Sequence, residues 1–307
     1  MNPLGAYVLM TPARNEASNI PRVLDTVAAQ TQRPLRWVII DDGSNDRTAE
    51  IVDDFARKHD FVQLLRQEPT GERTFASKAQ ALKKAYEALR SIPFDFVGNL
   101  DADIELPPDY YAGILEKFRE DPQLGLAGGI IWDVVGDRMI KHITNINSVA
   151  GAVQLFRRAC YDAIGGYFPS RVGGIDTIAE VSARMRGWKV SSLPEVRVLH
   201  HRETGTALHG NLKAAWRAGL KDYRLGYHPA FYVLMCVRRV WERPRLLGSL
   251  LRCAAYGGQA LRRIPLEAPP DVAAFMKEEQ RSRLKRALHP RTWIQSRRLR
   301  PTGPLGK

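Results

Sequence analysis

The feature that most restricts the fold is a pattern repeated along the first hundred residues: a continuous apolar run, a polar loop, then apolar residues at helical spacing. Tyr7-Val8-Leu9-Met10 runs into Thr11-Pro12-Ala13-Arg14-Asn15-Glu16, followed by Ile20, Val23, Leu24 and Val27. Trp37-Val38-Ile39-Ile40 runs into Asp41-Asp42-Gly43-Ser44-Asn45-Asp46, with a helix over about 47–58. A strand over 61–66 precedes a helix carrying Ala79, Leu82, Ala85 and Leu89, and an apolar run over 94–100 ends at Asp101-Ala102-Asp103. Apolar runs without polar alternation belong to strands covered on both faces, and strands alternating with helices make a parallel sheet. The predicted class is α/β, a mostly parallel mixed sheet of Rossmann-like type with helices on both faces. The C-terminal ends of such strands converge on a ligand crevice. The three polar loops therefore share one edge.

Asp101 and Asp103 point the same way if the strand continues, because side chains alternate with period two. Paired carboxylates supply hard oxygen ligands for Mg²⁺ or Mn²⁺, and these ions bind the phosphates of a nucleotide. The same tripeptide also fits a solvated turn, where carboxylates and Asn are favoured.

Six motifs follow one another along about two-thirds of the chain: Thr-Pro-Ala-Arg-Asn-Glu at 11–16, Asp-Asp-Gly-Ser at 41–44, Asp-Ala-Asp at 101–103, Gly173-Gly174-Ile175-Asp176, Arg186-Gly187-Trp188-Lys189-Val190, and Val198-Leu199-His200-His201. In this order they resemble a family 2 glycosyltransferase. The resemblance implies the GT-A fold, a nucleotide-sugar donor with UDP-sugars favoured, a divalent cation, and transfer with inversion. It puts Thr11, Pro12, Arg14 and Glu16 around the nucleotide base and Asp42 at base or ribose. Asp103 becomes the direct metal ligand, with Asp101 at the ribose or a metal-bound water and His200 or His201 as a third ligand. Lys78 resembles a basic residue that faces a phosphate or the base, although Ser77 and Lys83 stand where the family commonly has Gly and Asn. Aligning Gly187-Trp188-Lys189-Val190 with the family signature places Asp176 on the carboxylate that deprotonates the acceptor, with Ile175 where Glu is usual. Glu180, one helical turn later, is held in reserve for that role. Simpler readings stand beside these: Glu16 as a first-turn carboxylate favoured by the helix dipole, Lys78 as a surface lysine, His200 as a polar strand terminus, and Asp176 as an N-cap.

A chain of 307 residues can bury a substantial core. Cys160, Cys236 and Cys253 lie far apart without metal spacing, which argues against a disulfide framework or a zinc site and fits a reducing, cytoplasmic setting. The run near Tyr7 lacks a basic flank and is interrupted by Pro12, so it reads as the first strand and not as a cleavable leader.

The expected organisation is a catalytic region over 1–210, with a nucleotide-binding half at 1–103 and an acceptor half at 104–210, then a basic helical region over 211–307. Residues 202–307 hold 22 Lys and Arg against 7 Asp and Glu, whereas the residues before them are close to neutral. In the acceptor half the pattern predicts a helix over 109–120, a strand over 124–131, a helix over 177–187 and a last strand over 196–199. Residues 132–176 read as loops that approach the acceptor. Beyond 210, helices are separated by Pro229, Pro244 and Pro265. On one of them Leu247, Leu250, Leu251, Ala254, Gly258 and Leu261 share a face, with Arg245, Arg252 and Arg263 on another. Neither this segment nor 230–237 reaches the roughly 20 apolar residues of a membrane span. The expected role is peripheral, on an anionic membrane at its cytosolic face. Residues 275–288 read as a solvated helix and those from about 297 as disordered. Nucleic acid is disfavoured, because no binding module accompanies the charge.

The acceptor expected from this reading is a glycan or a lipid-linked intermediate. Two rivals are a sugar nucleotidyltransferase and a non-catalytic nucleotide-binding scaffold on a membrane surface. The first would place a glycine-rich loop after the first strand, and residues 11–16 contain no glycine. Intact Asp101, Asp103 and Asp176 speak against the second.

Overall fold

The computed structural model describes residues 4–68, 75–141, 145–201, 207–241 and 245–288. The N-terminal half alternates as expected: β1 (Tyr7–Ala13), α1 (Ile20–Ala28), β2 (Arg36–Asp42), α2 (Thr48–Ala56), β3 (Val62–Gln67), α3 (Phe75–Leu89) and β4 (Phe96–Leu100). These strands are parallel in the order β3-β2-β1-β4. Along β1 the pleat sends alternate side chains to opposite faces. Tyr7 and Leu9 join Ile20, Leu24 and Val27 of α1 in one core, while Val8 and Met10 join Leu82, Ala85 and Leu89 of α3 in the other. The Val, Leu, Ile and Met side chains among these each contribute about 1.5–3 kcal/mol through burial. The strand C-terminal ends, and the loops that follow them, meet at one edge.

The second half is more mixed: β5 (Ile104–Glu105), α4 (Tyr110–Glu120), β6 (Leu124–Val135), β7 (Arg138–Lys141), β8 (Val153–Arg157), α5 (Arg158–Ile164), α6 (Ile175–Met185) and β9 (Lys189–His201). The sheet continues from β4 through β8, β6 and β9 to β5, with β7 paired to β6. β8 is antiparallel to both β4 and β6, β9 runs parallel to β6, and β5 is antiparallel to β9.

The reading of 132–176 as loops is corrected here, because this stretch contains the end of β6, all of β7 and β8, and α5. β8 is hidden in sequence by its polar residues. Gln154 is fully buried and takes a hydrogen bond from the Tyr167 hydroxyl at 2.7 Å. Arg157 donates to the carbonyls of Phe118 and Leu124 and lies over the rings of Phe96 and Phe118. β9 is also longer than the expected 196–199, because a register shift between Gly129 and Ile130 of its partner β6 absorbs Pro194 without ending the strand.

By backbone contacts the chain divides into Met1–Leu208 and His209–Lys307. The second unit is helical: α7 (Ala207–Arg224), α8 (Pro229–Arg238), α9 (Arg245–Leu261) and α10 (Pro270–Leu288). α10 starts before the expected Phe275, with Pro270 at the first helical position where a missing N–H costs nothing. It is not solvated all round. Val272, Ala273 and Met276 are buried, and the Gln280 side-chain oxygen Oε1 accepts the His228 backbone N–H at 2.7 Å. The expectation for residues from 297 onward lies outside the described residues. Among the described residues no helix is long and apolar enough to cross a membrane.

Candidate active site

Two adjoining clefts open at the sheet edge where the strand ends meet. One, of about 340 Å³, is lined by Pro12, Ala13, Arg14, Glu16, Asp42 and the Asp101-Ala102-Asp103 turn. The other, of about 230 Å³, holds Asp176 with Asn99, Gly151, Ala152 and Tyr167. Phe75, Lys78 and Asp101 line both, so the two spaces share one wall.

The first cleft rests on two loops tied together by hydrogen bonds. Asn15 adopts a left-handed backbone (φ 57°), a conformation Asn tolerates better than most residues. Its N–H donates to Ser44 Oγ at 3.0 Å, and its side-chain oxygen accepts the Asn45 N–H at 2.9 Å. Glu16 N–H donates to Thr48 Oγ1 and Ala17 N–H to Asp46 Oδ2, at 2.8 and 3.0 Å. Burial raises the Asp46 carboxyl, but hydrogen bonds from Thr48 and Ala17 outweigh it and hold the group below its ordinary range. Arg14 reaches Asp42 at 4.0 Å, and Gln67 also donates to Asp42.

Thr11 departs from its expected role. It is fully buried, its hydroxyl accepts the Trp37 indole N–H at 2.9 Å, and it is not part of the cleft lining. The β1 pleat turns Thr11 into the core and leaves Pro12 and Arg14 at the opening.

β4 ends at Leu100, so Asp101 and Asp103 lie on a turn and the period-two expectation stops there. Their carboxylates take different partners. Lys78 Nζ lies 2.6 and 2.8 Å from the two oxygens of Asp101. Asp103 Oδ2 is 2.9 Å from His200 Nε2, and His200 Nδ1 is 2.8 Å from Asp133 Oδ1. Strand register explains this chain of contacts, since His200 on β9 lies opposite Asp133 on β6 and opposite Ile104 on β5. The neighbouring His201 instead meets Glu105 at 2.6 Å, which distinguishes the two histidines.

Among the described residues no three His, Cys, Asp or Glu side chains form a ready metal cluster. Asp103 and His200 offer one hard oxygen and one imidazole, with Asp101 on the same turn. Mg²⁺ and its relatives are held by one or two carboxylates together with phosphates and waters, not by all-protein cages. The donor set fits such an ion bound along with a diphosphate.

Asp176 sits in the first turn of α6, whose N-cap is Gly174 in a left-handed conformation (φ 75°). The alternative of Asp176 as the cap itself is therefore excluded. The Asp176 side chain lies against bare backbone: a Cβ on Gly151 would stand 2.9 Å from Asp176 Cβ and 3.0 Å from its Oδ2. Glu180, the reserve candidate, is buried and engaged. It accepts Ser148 Oγ at 2.9 Å and Val149 N–H at 2.7 Å, and lies 3.8 Å from Arg184. Burial first, and then the charge of Asp176, push Glu180 up to about 8 despite these donors. Its position suits holding the 148–149 backbone, not meeting an acceptor.

Phe75, Gly151 and Tyr167 lie outside any recognisable motif, and only the tertiary structure brings them to the clefts; Asp133 lies outside both linings and reaches the site through His200.

The sequence matches the family described as Glycosyl transferase family 2 over residues 8–175. Poly-beta-1,6-N-acetyl-D-glucosamine synthase of Staphylococcus epidermidis is 28% identical over 236 residues, covering 77% of this chain and 50% of that protein. The chain thus spans about half the length of the curated relatives it matches. Among solved structures, the mannosyltransferase PcManGT from Pyrobaculum calidifontis in complex with GDP-Man and Mn²⁺ superposes with a TM-score of 0.57 at 20% identity, covering 95% of this chain and 83% of that one. Residues 1–349 of S. aureus TarS in complex with UDP-GlcNAc give 0.52 at 14% identity, over 84% and 73% of the two chains. With the family matched across more than half of its length and the sheet matching solved glycosyltransferases, the chain belongs to glycosyl transferase family 2 and has the GT-A fold.

Proposed function

We propose that this glycosyltransferase moves a sugar from a nucleotide-sugar donor to a glycan or lipid-linked acceptor in cell-surface polysaccharide or glycoconjugate synthesis, by single displacement with inversion. The observation that carries the reading is the shared wall: Lys78 and Asp101 stand between a cleft lined by the nucleotide-type loops and one holding Asp176. A donor in the first cleft would present its anomeric carbon at this wall to an acceptor in the second.

Each chemical requirement has a residue. Arg14, Glu16 and Asp42 would hold base and ribose. Asp103 and His200 would hold Mg²⁺ or Mn²⁺, which when bound offsets the charge of the departing diphosphate. Lys78 places a fixed positive charge beside the same group. The Asp176 carboxylate would accept the acceptor hydroxyl proton as the new oxygen–carbon bond forms and the bond to phosphate breaks. Of the two carboxylates lining the second cleft, Asp101 is paired with Lys78 on the shared wall and Asp176 is left as the acceptor-side base, which supports one displacement and hence inversion.

The family relatives support polysaccharide synthesis, and N-acetylglucosamine figures in both a synthase relative and the TarS complex. UDP-N-acetylglucosamine is therefore the first donor to test. Incubating the protein with UDP- and GDP-sugars and Mn²⁺, and measuring release of nucleoside diphosphate with and without oligosaccharide acceptors, decides the matter. Turnover of a UDP-sugar supports the reading. Release of pyrophosphate from a nucleoside triphosphate and a sugar phosphate would make it a nucleotidyltransferase, and nucleotide binding without any turnover a scaffold.

A further inference from the structure

Helices of soluble domains turn their apolar stripe inward. α9 does the reverse. Gly248, Ser249 and Ala255 form its buried face, and Ser249 Oγ donates to the Cys236 carbonyl of α8 at 2.8 Å. At 100° per residue, Leu246, Leu247, Leu250, Ala254 and Leu261 fall within one stripe on the opposite side, and all five are exposed, Leu261 by 88% and Leu250 by 56%. The neighbouring α8 repeats the arrangement: Tyr232 and Cys236 are buried, while Ala230, Val233 and Val237 are exposed in one row. Trp241, just past its end, is 82% exposed.

Such contiguous apolar exposure on two adjacent helices marks a surface that another phase covers. We propose that the α8–α9 face of the helical unit docks on the surface of an anionic lipid bilayer. The flanking charge selects this occupant. Arg238, Arg245, Arg262 and Arg263 are exposed at the ends of the two apolar rows, and among residues 229–264 they belong to a set of basic groups opposed by a lone acid, Glu242. A second copy of the chain would bring like-charged rims together. Anionic headgroups would instead neutralise the arginines while Leu246, Leu250 and Trp241 enter the interfacial region, which suits helices too short in apolar length to span. The inference is independent of the donor assigned above.

The test is co-sedimentation of the full chain with phosphatidylcholine vesicles, with and without phosphatidylglycerol, at low and high ionic strength. The protein should bind the anionic vesicles and be released by salt. Leu247→Glu/Leu250→Glu alters only exposed positions, so it should keep its circular dichroism and melting temperature while binding roughly tenfold less or weaker still. Brominated lipids should quench tryptophan fluorescence in the wild type, and Trp241→Phe should lose most of that quenching. Absence of vesicle binding at low salt would overturn the proposal. So would binding that the double variant retains in full, or a lipid-independent dimer that the same variant dissolves.

Discussion

The two clefts are built differently, although they share a wall. The loops of the first project from parallel strand ends, and its polar groups have partners: Arg14 pairs with Asp42, Lys78 pairs with Asp101, and Asp103 meets the His200 imidazole. A nucleotide and cation would exchange these partners for phosphate and metal. The carboxylate of the second cleft is held from behind, with Gly151 backbone against Asp176 and the buried Glu180, Gln154 and Tyr167 network beneath. On the proposed assignment, donor recognition would rest on exchangeable surface pairs, whereas the acceptor-side base would rest on a preorganised interior.

The largest expected effect comes from the first cleft. Asp103→Ala removes a hard ligand beside the diphosphate, at a cost of about 5 kcal/mol or ~10⁴-fold in turnover, with the melting temperature nearly unchanged. Near-normal turnover of this variant, or of the wild type in EDTA, would remove the metal from the account. Next, Asp176→Asn should lower kcat by about 10³ while leaving donor affinity in place. If donor affinity fell instead, the two clefts would not divide the work. Transfer of that loss to Glu180→Gln would move the base one helical turn.

Asp133→Asn sharpens the comparison further. Asp133 touches no cleft, yet it faces the His200 ring nitrogen opposite Asp103. A partner of this kind orients a metal-binding imidazole, and its loss should weaken Mn²⁺ affinity by about 10–100-fold. Titration of Mn²⁺ binding in the presence of UDP reads this directly, and unchanged affinity would reduce Asp133 to a strand contact.

The smallest effect on activity belongs to Glu180, whose influence falls on stability. Its folded value of about 8 lies above the ordinary carboxylate range, so the native state holds a proton that the unfolded chain has released at neutral pH. Its contribution is therefore complete at low pH and declines as pH rises from about 4.5 to about 8, by several kcal/mol at most. Glu180→Gln keeps an oxygen for Ser148 and Val149 and should flatten that slope. Equal slopes for the two proteins in denaturant titrations across this range would contradict the burial argument.

How much of this was legible in the sequence follows from the same division. The parallel strands announce themselves as unbroken apolar runs, and the loops after them carry the motifs, so the sequence itself puts Arg14, Glu16, Asp42 and Asp101 at one edge, while Lys78, on a helix, is suggested by the family resemblance alone. Thr11 was misplaced because a motif does not record which face of the pleat a residue takes. β8 was missed because Gln154 and Arg157 find their partners only in the folded chain. Gly151, Tyr167 and Asp133 escape for the same reason: their roles come from long-range contacts that no local spacing encodes. The α9 stripe shows the converse limit. Its periodicity was visible, but an apolar stripe has the same spacing whether it faces inward or outward.

The separation of donor binding from acceptor activation is tested most directly by calorimetric titration of UDP into the wild type, Asp103→Ala and Asp176→Asn, each with Mn²⁺ and with EDTA. The account predicts Mn²⁺-dependent UDP binding that Asp176→Asn retains and Asp103→Ala loses. UDP binding that is indifferent to Mn²⁺, or that Asp176→Asn weakens as much as Asp103→Ala does, would contradict it.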